Sequence, residues 1–308
     1  MLVHLDTDIG GDTDDVFALA MLLRSSGVEI AGISTSTEIG GKRAAMARYV
    51  VRLANNNSIP VAAGAEGKLG PSPWPILPEL PAERLFWPDG LDLVRGRPGE
   101  VIDLLDANIG RGATIIAIGP LTNLAAYEAI RPGRLAAVPV FICGGWINFA
   151  RNGFPQWSWE VDYNIQQDQE ASRLVISRCA PTLIPISITA EVFLREADLP
   201  RLEGEGPLGR LIAHQAKLQA AYEKKQEYGR QFSLLPDDLL NFHYDPLTCA
   251  AAVGWDGIQM SDLSIALDNH DGFILMRRDP KGVPVRFATA VDGTRFNRDW
   301  LDVVTSRR

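Results

Sequence analysis

The segment that decides the fold lies near the N-terminus, where residues 5–19 read LDTDIGGDTDDVFAL. A short apolar run, residues 3–5, leads into it and an apolar run of helical spacing follows it. The pattern therefore predicts a buried strand, a tight glycine turn and a helix. Five aspartates fall within the ten residues 6–15. Carboxylates this close raise one another's pKa, and a bound cation relieves their repulsion. The segment thus predicts a site for a hard divalent cation, calcium or magnesium, which prefers oxygen ligands.

A simpler interpretation explains part of this cluster. Asp14 and Asp15 stand where the predicted helix begins, and an aspartate there accepts main-chain N–H groups that lack a partner within the helix. Capping alone leaves Asp6, Asp8 and Asp12 without a role. We therefore favour the metal site, which lies where open α/β sheets bind ligands, at the carboxyl end of a strand.

Short apolar runs alternate with longer segments of helical spacing along the rest of the chain. The predicted strands are residues 3–5, 30–34, 114–118, 138–143 and 182–186. The predicted helices are residues 14–23, 42–54, 100–108, 121–130 and 168–177, with a long polar amphipathic helix at 208–231. The segment 60–97 is rich in proline and glycine, has no clear period, and is predicted to form a rim or lid. The alternation indicates an α/β fold, one domain over residues 1–308 with a mostly parallel central sheet flanked by helices.

Composition narrows the class of partner. The chain has 30 basic and 38 acidic residues, a formal charge of −8, so it lacks the basic surface that nucleic acids and anionic membranes require. Its three cysteines are widely spaced, which argues against a disulfide framework or a thiolate zinc site. The N-terminus has no basic leader, and no apolar run approaches the length of a membrane span. We expect a cytoplasmic protein that binds a small neutral or cationic molecule.

Four motifs in order resemble the nucleoside hydrolase family, which splits ribonucleosides into ribose and free base. They are DTDIGGDTDD at 6–15, IGPLTN at 118–123, DYNI at 162–165 leading to DQEA at 168–171, and DPLT at 245–248. The resemblance covers about residues 2 to 255. It implies a Rossmann-like core, a calcium ion as cofactor, a nucleoside as substrate, and a homo-oligomer, either a dimer or a tetramer.

The resemblance also implies a set of metal ligands. The family's calcium ligands match Asp8, Asp15, the main-chain carbonyl of Ile118, and Asp245, with water and two ribose hydroxyls completing the shell. Calcium-bound water is then the nucleophile and Asp8 the general base that accepts its proton. For Asp245, a role as a turn or helix-capping residue before Pro246 is the alternative.

The ribose-binding residues of the family match three further positions. Asn164 and Asp14 stand where its members hold the ribose hydroxyls, and Asp162 stands where they have a glutamate. Asn123 is either a helix cap or a substrate contact. Where members supply an asparagine after the second strand, this chain offers only Glu38 as a replacement.

The leaving-group residues depart from the family pattern. Members that prefer inosine and uridine have a histidine just before the last metal-binding aspartate, whereas this chain has Tyr244 there and His243 one residue earlier. We count both His243 and Tyr244 among the candidate substrate-binding residues. Some members instead activate purines by stacking them on indole rings. Trp157 and Trp159 are candidates for that role, although packing on the core explains them as well. The pattern slightly favours purine substrates.

Two other functions fit part of the sequence. Asp6-Thr7-Asp8 after a first strand is similar to the nucleophile and acid of haloacid dehalogenase-like phosphatases, but no lysine and late acidic pair of that family are found. A non-catalytic calcium-dependent ribose-binding protein keeps the same metal shell and is favoured by the loss of the usual histidine. Release of sugar from nucleosides distinguishes the hydrolase from both.

Overall fold

The computed structural model describes residues 1–73, 86–97, 99–148 and 151–306. The strands are β1 (Leu2–Thr7), β2 (Glu29–Thr35), β3 (Val61–Ala63), β4 (Thr114–Ala117), β5 (Val140–Cys143), β6 (Thr182–Ile184), β7 (Phe193–Arg195), β8 (Leu239–Phe242), β9 (Ile258–His270), β10 (Phe273–Arg278) and β11 (Val283–Val291). Nine of them form one sheet in the order β10-β9-β11-β6-β5-β4-β1-β2-β3. The seven strands from β11 to β3 pair in parallel, and β9 and β10 add an antiparallel edge. The mostly parallel sheet predicted from the sequence is therefore confirmed.

Helices cover the faces of this sheet. Among the described residues they are α1 (Asp14–Arg24), α2 (Lys42–Leu53), α3 (Glu100–Gly110), α4 (Thr122–Ile130), α5 (Tyr163–Gln166), α6 (Gln169–Cys179), α7 (Ile186–Thr189), α8 (Leu199–Glu203), α9 (Gly206–Tyr222), α10 (Lys225–Gly229), α11 (Tyr244–Ala252) and α12 (Gly293–Val304). Helix α1 is buried almost throughout, because it packs against α11 and α12 and also contacts α2 and α9. Its apolar side chains on every face agree with that burial.

The five predicted strands and the first five predicted helices all appear, with ends shifted by a few residues. Two predictions need correction. The last predicted strand is shorter, since β6 ends at Ile184 and a helix begins at Ile186. The long helix predicted over 208–231 is two helices, because the chain leaves α9 after Tyr222 and Lys224 has a left-handed backbone with φ 53°.

The segment 60–97 contains β3, which the sequence analysis did not predict. Residues 74–85 of this segment lie outside the described residues, so part of the predicted rim or lid falls on them. Its described remainder includes Phe86, which is buried.

The carboxyl ends of the parallel strands meet at one edge of the sheet. Asp8 follows β1, Thr37 lies just beyond β2, Ile118 follows β4, and Cys143 ends β5. This edge is where open α/β sheets bind ligands. Among the described residues, no helix has both the length and the apolar character that a membrane span needs.

Candidate active site

A cavity of about 450 Å³ opens at the carboxyl ends of the strands. Its wall includes the polar side chains of Asp8, Asp12, Asp14, Asp15, Thr37, Arg43, Asp162, Tyr163, Asn164, Gln219, Glu223, Tyr244 and Asp245. Ile118, Cys143, Trp157 and Phe86 also line it. Its volume lies within the usual range of small-molecule sites. The cavity therefore brings together most of the residues predicted to bind metal or substrate.

Three buried carboxylates form a compact group in this cavity. Asp14 and Asp15 lie in the first turn of α1, and Asp245 lies in the first turn of α11. Each offers an oxygen within 4.8 Å of the others. The main-chain N–H of Asp245 donates to Asp14 Oδ2 at 3.1 Å, and the Thr7 hydroxyl donates to Asp15. The acids thus lie at two helix N-termini, where the positive end of the helix dipole favours negative charge.

Burial makes this group costly in the charged form. It raises the pKa of Asp14, Asp15 and Asp245 well above the usual range, and repulsion between the neighbouring carboxylates raises it further. Burial also raises the pKa of Asp8 to about 6, opposed by the guanidinium of Arg43. Arg43 is the one basic side chain among the described residues that line the cavity. A set of buried oxygen donors with so little counter-charge fits a hard divalent cation.

The carboxylates of the group differ from those of the predicted metal shell in two respects, since Asp14 belongs to the group and Asp8 does not. Asp14, which the sequence analysis kept for the ribose, lies among the clustered acids. Asp8 lies on the same cavity wall, and its charge raises the pKa of both Asp15 and Asp245. Asp245 is therefore part of the acidic group and more than a turn residue.

Asn164 joins two strand ends at the cavity wall. Its Nδ2 donates to the carbonyl of Ile118 and to that of Cys143, each at 3.1 Å. A carbonyl oxygen has two lone pairs, so that of Ile118 keeps one for another partner. The Asn164 side chain keeps its own oxygen as an acceptor.

Asp162 lies beside the same strand ends. Its Oδ2 accepts the Gly145 N–H at 2.7 Å, and burial raises its pKa to about 7. Gly144 has φ 141°, and a Cβ added there would lie 3.0 Å from Asp162 Oδ1. The close approach of this carboxylate therefore depends on a glycine. Asp162 lines the cavity despite being shorter than a glutamate.

Asn123 has a role that neither alternative in the sequence analysis described. Its Nδ2 donates to Asp6 Oδ2 at 2.8 Å and to the Thr35 carbonyl at 2.9 Å, and its Oδ1 accepts the Ala65 N–H at 3.0 Å. Asp6 is fully buried and also accepts from the hydroxyl of Ser34. Asn123 therefore ties the ends of β1, β2 and β3 together from behind the cavity, which neither it nor Asp6 lines.

Glu38 caps α2 instead of facing the cavity. Its carboxylate accepts the N–H groups of Ile39, Arg43 and Ala44 and the hydroxyl of Thr35. These bonds satisfy helix N–H groups that have no partner in the helix. The structure therefore does not place Glu38 where the family's asparagine was expected.

Aromatic rings form another part of the cavity wall. The rings of Trp157 and Tyr244 lie 5.5 Å apart, and Trp157 Nε1 donates to the Tyr228 hydroxyl at 3.1 Å. Trp159 does not line the cavity, because its ring packs against Trp146 at 5.0 Å and on His270. Of the two indole candidates, only Trp157 reaches the site.

His243 also lies away from the cavity wall. Its ring packs 4.3 Å from that of Trp300 and against Phe17 and Phe296. Burial lowers its pKa to about 3. Tyr244, and not His243, lines the cavity wall. Burial together with nearby carboxylates raises the pKa of Tyr244 well above the usual range. The structure therefore gives His243 no substrate contact, contrary to its inclusion among the substrate-binding residues.

Several residues of the cavity wall were not predicted from the sequence, among them Arg43 and Thr37. Arg43 donates to the carbonyls of Asp8, Ile9 and Thr37, the last two at 3.0 and 2.9 Å. It thereby links the ends of β1 and β2. A lone arginine in a first helical turn carries no sequence signal for this role, and neither does Thr37 within STST.

Residues 3–298 match the family model described as "Inosine-uridine preferring nucleoside hydrolase". The pyrimidine-specific ribonucleoside hydrolase RihA of Salmonella paratyphi A is 25% identical over 243 residues, which cover 74% of each chain. RihA of Klebsiella pneumoniae is 26% identical over 244 residues, again 74% of each chain.

Solved structures show the same fold. The purine-preferring ribonucleoside hydrolase from Gardnerella vaginalis superposes with a TM-score of 0.81 at 17% identity, covering 99% of this chain and 98% of that one. A plant nucleoside hydrolase superposes with a TM-score of 0.78 at 23% identity, covering 99% of both chains.

Proposed function

Since the chain belongs to the inosine-uridine preferring nucleoside hydrolase family and is therefore an N-glycosyl hydrolase of ribonucleosides, we propose that Asp8 is its general base and calcium its cofactor. The observation that carries this proposal is the convergence of Asp8 with the clustered Asp14, Asp15 and Asp245 in one cavity. Asp245 lies more than 200 residues from the other acids in the sequence, and stability alone gives no reason to bury them together.

The proposed ligands of the ion are the carboxylates of Asp8, Asp15 and Asp245 and the carbonyl of Ile118. All four residues line the cavity, and their donor atoms are oxygens, as calcium prefers. Asp14 is close enough to the group to contribute as well. When bound, the ion supplies positive charge that orients a water molecule and the sugar hydroxyls beside the bond to be broken.

The side chains then divide the chemistry among them. Asp8 accepts the proton of the attacking water as it approaches the anomeric carbon of the ribose. The surrounding carboxylates stabilise the positive charge that develops on the sugar ring as the glycosidic bond breaks. Asp14, Asp162 and Asn164 hold ribose hydroxyls and so fix the sugar for in-line attack.

The departing base is proposed to lie against Trp157 and Tyr244. The bond from Trp157 to Tyr228 fixes the indole ring, and a fixed ring is a suitable stacking surface. Stacking raises the basicity of the base, so that solvent delivers the proton. This arrangement suits purines, although the curated relatives above are named for pyrimidines.

A reducing-sugar assay on inosine, guanosine, adenosine, uridine and cytidine with calcium tests the proposal. We expect sugar release from at least one nucleoside, and its loss in Asp8→Asn. Hydrolysis of p-nitrophenyl phosphate with magnesium but of no nucleoside would instead support the phosphatase. Ribose binding without any sugar release would support the binding protein.

A further inference from the structure

Trp146 lies just beyond β5, behind the wall of the cavity. It is half-buried and does not line the described part of the cavity, whereas Trp157 does. Its indole Nε1 donates to the main-chain carbonyl of Trp157 at 2.7 Å. Such a bond is not automatic in this region, since the adjacent Trp159 has a buried Nε1 without a partner among the described residues. Trp146 therefore holds the proposed base-stacking residue from outside the site.

A second hydrogen bond joins the same two segments of the chain. The N–H of Gly145 donates to Asp162 Oδ2 at 2.7 Å. Gly144 and Gly145 have φ of 141° and 100°, a region that glycine enters readily and other residues avoid. The turn after β5 thus lets two successive residues bond to two residues of the cavity wall, Asp162 and Trp157.

Ring packing adds a third contact between these segments. The rings of Trp146 and Trp159 lie 5.0 Å apart in an edge-on arrangement. Trp159 begins the short 3-10 helix Trp159–Val161, which leads directly to Asp162. Two hydrogen bonds and one ring contact therefore fix the place of Trp157 relative to Asp162.

The two wall residues held in this way face different parts of the proposed substrate. Asp162 is proposed to bind a ribose hydroxyl, and Trp157 to stack on the base. A nucleoside presents its sugar and base in one covalent arrangement. A site whose matching residues are already held in place loses less free energy to ordering when it binds.

We propose that Trp146 is a positioning residue whose indole N–H sets the place of Trp157 relative to Asp162 and so orients the base against the sugar. The inference rests on the proposed function, in which the base lies against Trp157. Trp146 itself touches no part of the substrate. Loss of its N–H should therefore weaken binding of the base and leave binding of the sugar unchanged.

The first test removes the hydrogen bond and keeps an aromatic ring. Trp146→Phe should lower kcat/KM on inosine about three- to tenfold, mainly through KM, as expected for the loss of one hydrogen bond. Trp255→Phe is the matched control, because it removes the bond from Trp255 Nε1 to Asp299 Oδ2 at 3.0 Å, away from the described cavity wall. It should leave kcat/KM unchanged.

Calorimetric titrations with calcium present show which half of the substrate is affected. The ligands are free ribose and formycin B, an inosine analogue whose carbon–carbon glycosidic bond is not hydrolysed. Trp146→Phe should weaken formycin B binding by a factor similar to the loss in kcat/KM and leave ribose affinity unchanged, whereas a general loosening of the fold weakens both. If phenylalanine destabilises the protein, β-(3-benzothienyl)alanine at position 146 keeps the bicyclic shape, lacks the N–H and gives the same comparison.

A double-mutant cycle tests whether Trp146 acts through Trp157. In a Trp157→Ala background, Trp146→Phe should cost little further affinity for formycin B, because the residue that it positions is gone. An equal cost in both backgrounds would overturn the proposal. Weaker ribose binding by Trp146→Phe, or wild-type affinity for formycin B, would overturn it as well.

The proposed function and this inference fail in different ways. If the wild type hydrolyses no nucleoside, the proposed function fails, and the titrations with formycin B alone decide the role of Trp146. A wild-type protein that does not bind formycin B counts against the inference, whether or not it binds ribose.

Discussion

Replacing His243 tests whether this residue protonates the leaving base. We expect His243→Ala to lower kcat less than tenfold on a purine nucleoside, although the histidine is next to the residue that takes the family's histidine position. The imidazole lies among Phe17, Phe296 and Trp300, and His243 does not line the cavity. Loss of a true general acid typically costs about 10² to 10⁴ in rate.

The charge state of His243 leads to the same expectation. Its pKa is lowered by burial to about 3, so at pH 7 roughly one molecule in 10⁴ carries the proton that a general acid must donate. A cation bound at the neighbouring Asp245 lowers that fraction further, since like charges repel. We expect His243→Ala to affect the stability of the fold more than catalysis. Truncating a buried ring to alanine costs about 2 to 5 kcal/mol of unfolding free energy.

The assay separates these two effects. Steady-state kcat on inosine and uridine is measured well below the melting temperature of the alanine variant, for wild type, His243→Ala, His243→Phe and Tyr244→Phe. His243→Phe refills the aromatic cluster and removes two buried nitrogens that lack partners in the described structure. It should melt above His243→Ala with near wild-type kcat. A loss of about 10² or more in kcat for both His243 variants would make His243 the proton donor.

Three further predictions concern residues in the cavity wall or directly behind it. Asp8→Asn should lower kcat by about 10² to 10⁴ with little change in the melting temperature, because the amide keeps the shape but accepts no proton; near wild-type kcat would remove Asp8 from the role of base. Asn123→Leu should destabilise the fold by about 2 to 4 kcal/mol, since it removes one of the hydrogen bonds to the buried Asp6 carboxylate and the bonds to two main-chain groups, and unchanged thermal unfolding would contradict this. Arg43→Met should reduce kcat more than it raises KM, and added guanidinium ion should partly rescue it. Arg48→Met on the same helix is the control, because the Arg48 side chain bonds to the Val61 carbonyl, and it should leave kcat unchanged.

The sequence predicted the part of the structure whose signals are local. The junction of β1 and α1 was evident because its aspartates, glycines and apolar flanks are contiguous. The strands β9 to β11 were missed, since their mixed exposure obscures the apolar run that marks a buried strand. The break after Tyr222 was missed because it depends on the conformation of Lys224, which no residue type required.

In the candidate site, too, only the residues with local sequence signals were predictable. Asp8, Asp15 and Asp245 stand in motifs and all reach the cavity. The orientation of neighbouring side chains was not predictable, because a displacement of one residue sends His243 into an aromatic cluster and leaves Tyr244 on the wall. The link that Arg43 makes between strand ends depends on tertiary contacts alone.

The bond from the Asp245 N–H to Asp14 joins residues 231 positions apart, and this separation bears on how the protein folds. Contacts between such distant segments form late, because the chain must first lose the entropy of closing a long loop. The acidic group is therefore complete only once the distant segments that carry Asp14 and Asp245 are both in place. A cation that binds there should slow unfolding and leave the folding rate almost unchanged, as stabilising contacts absent from the transition state do. Metal release would then be an early event in unfolding, and the half-life of the folded chain would depend on calcium concentration.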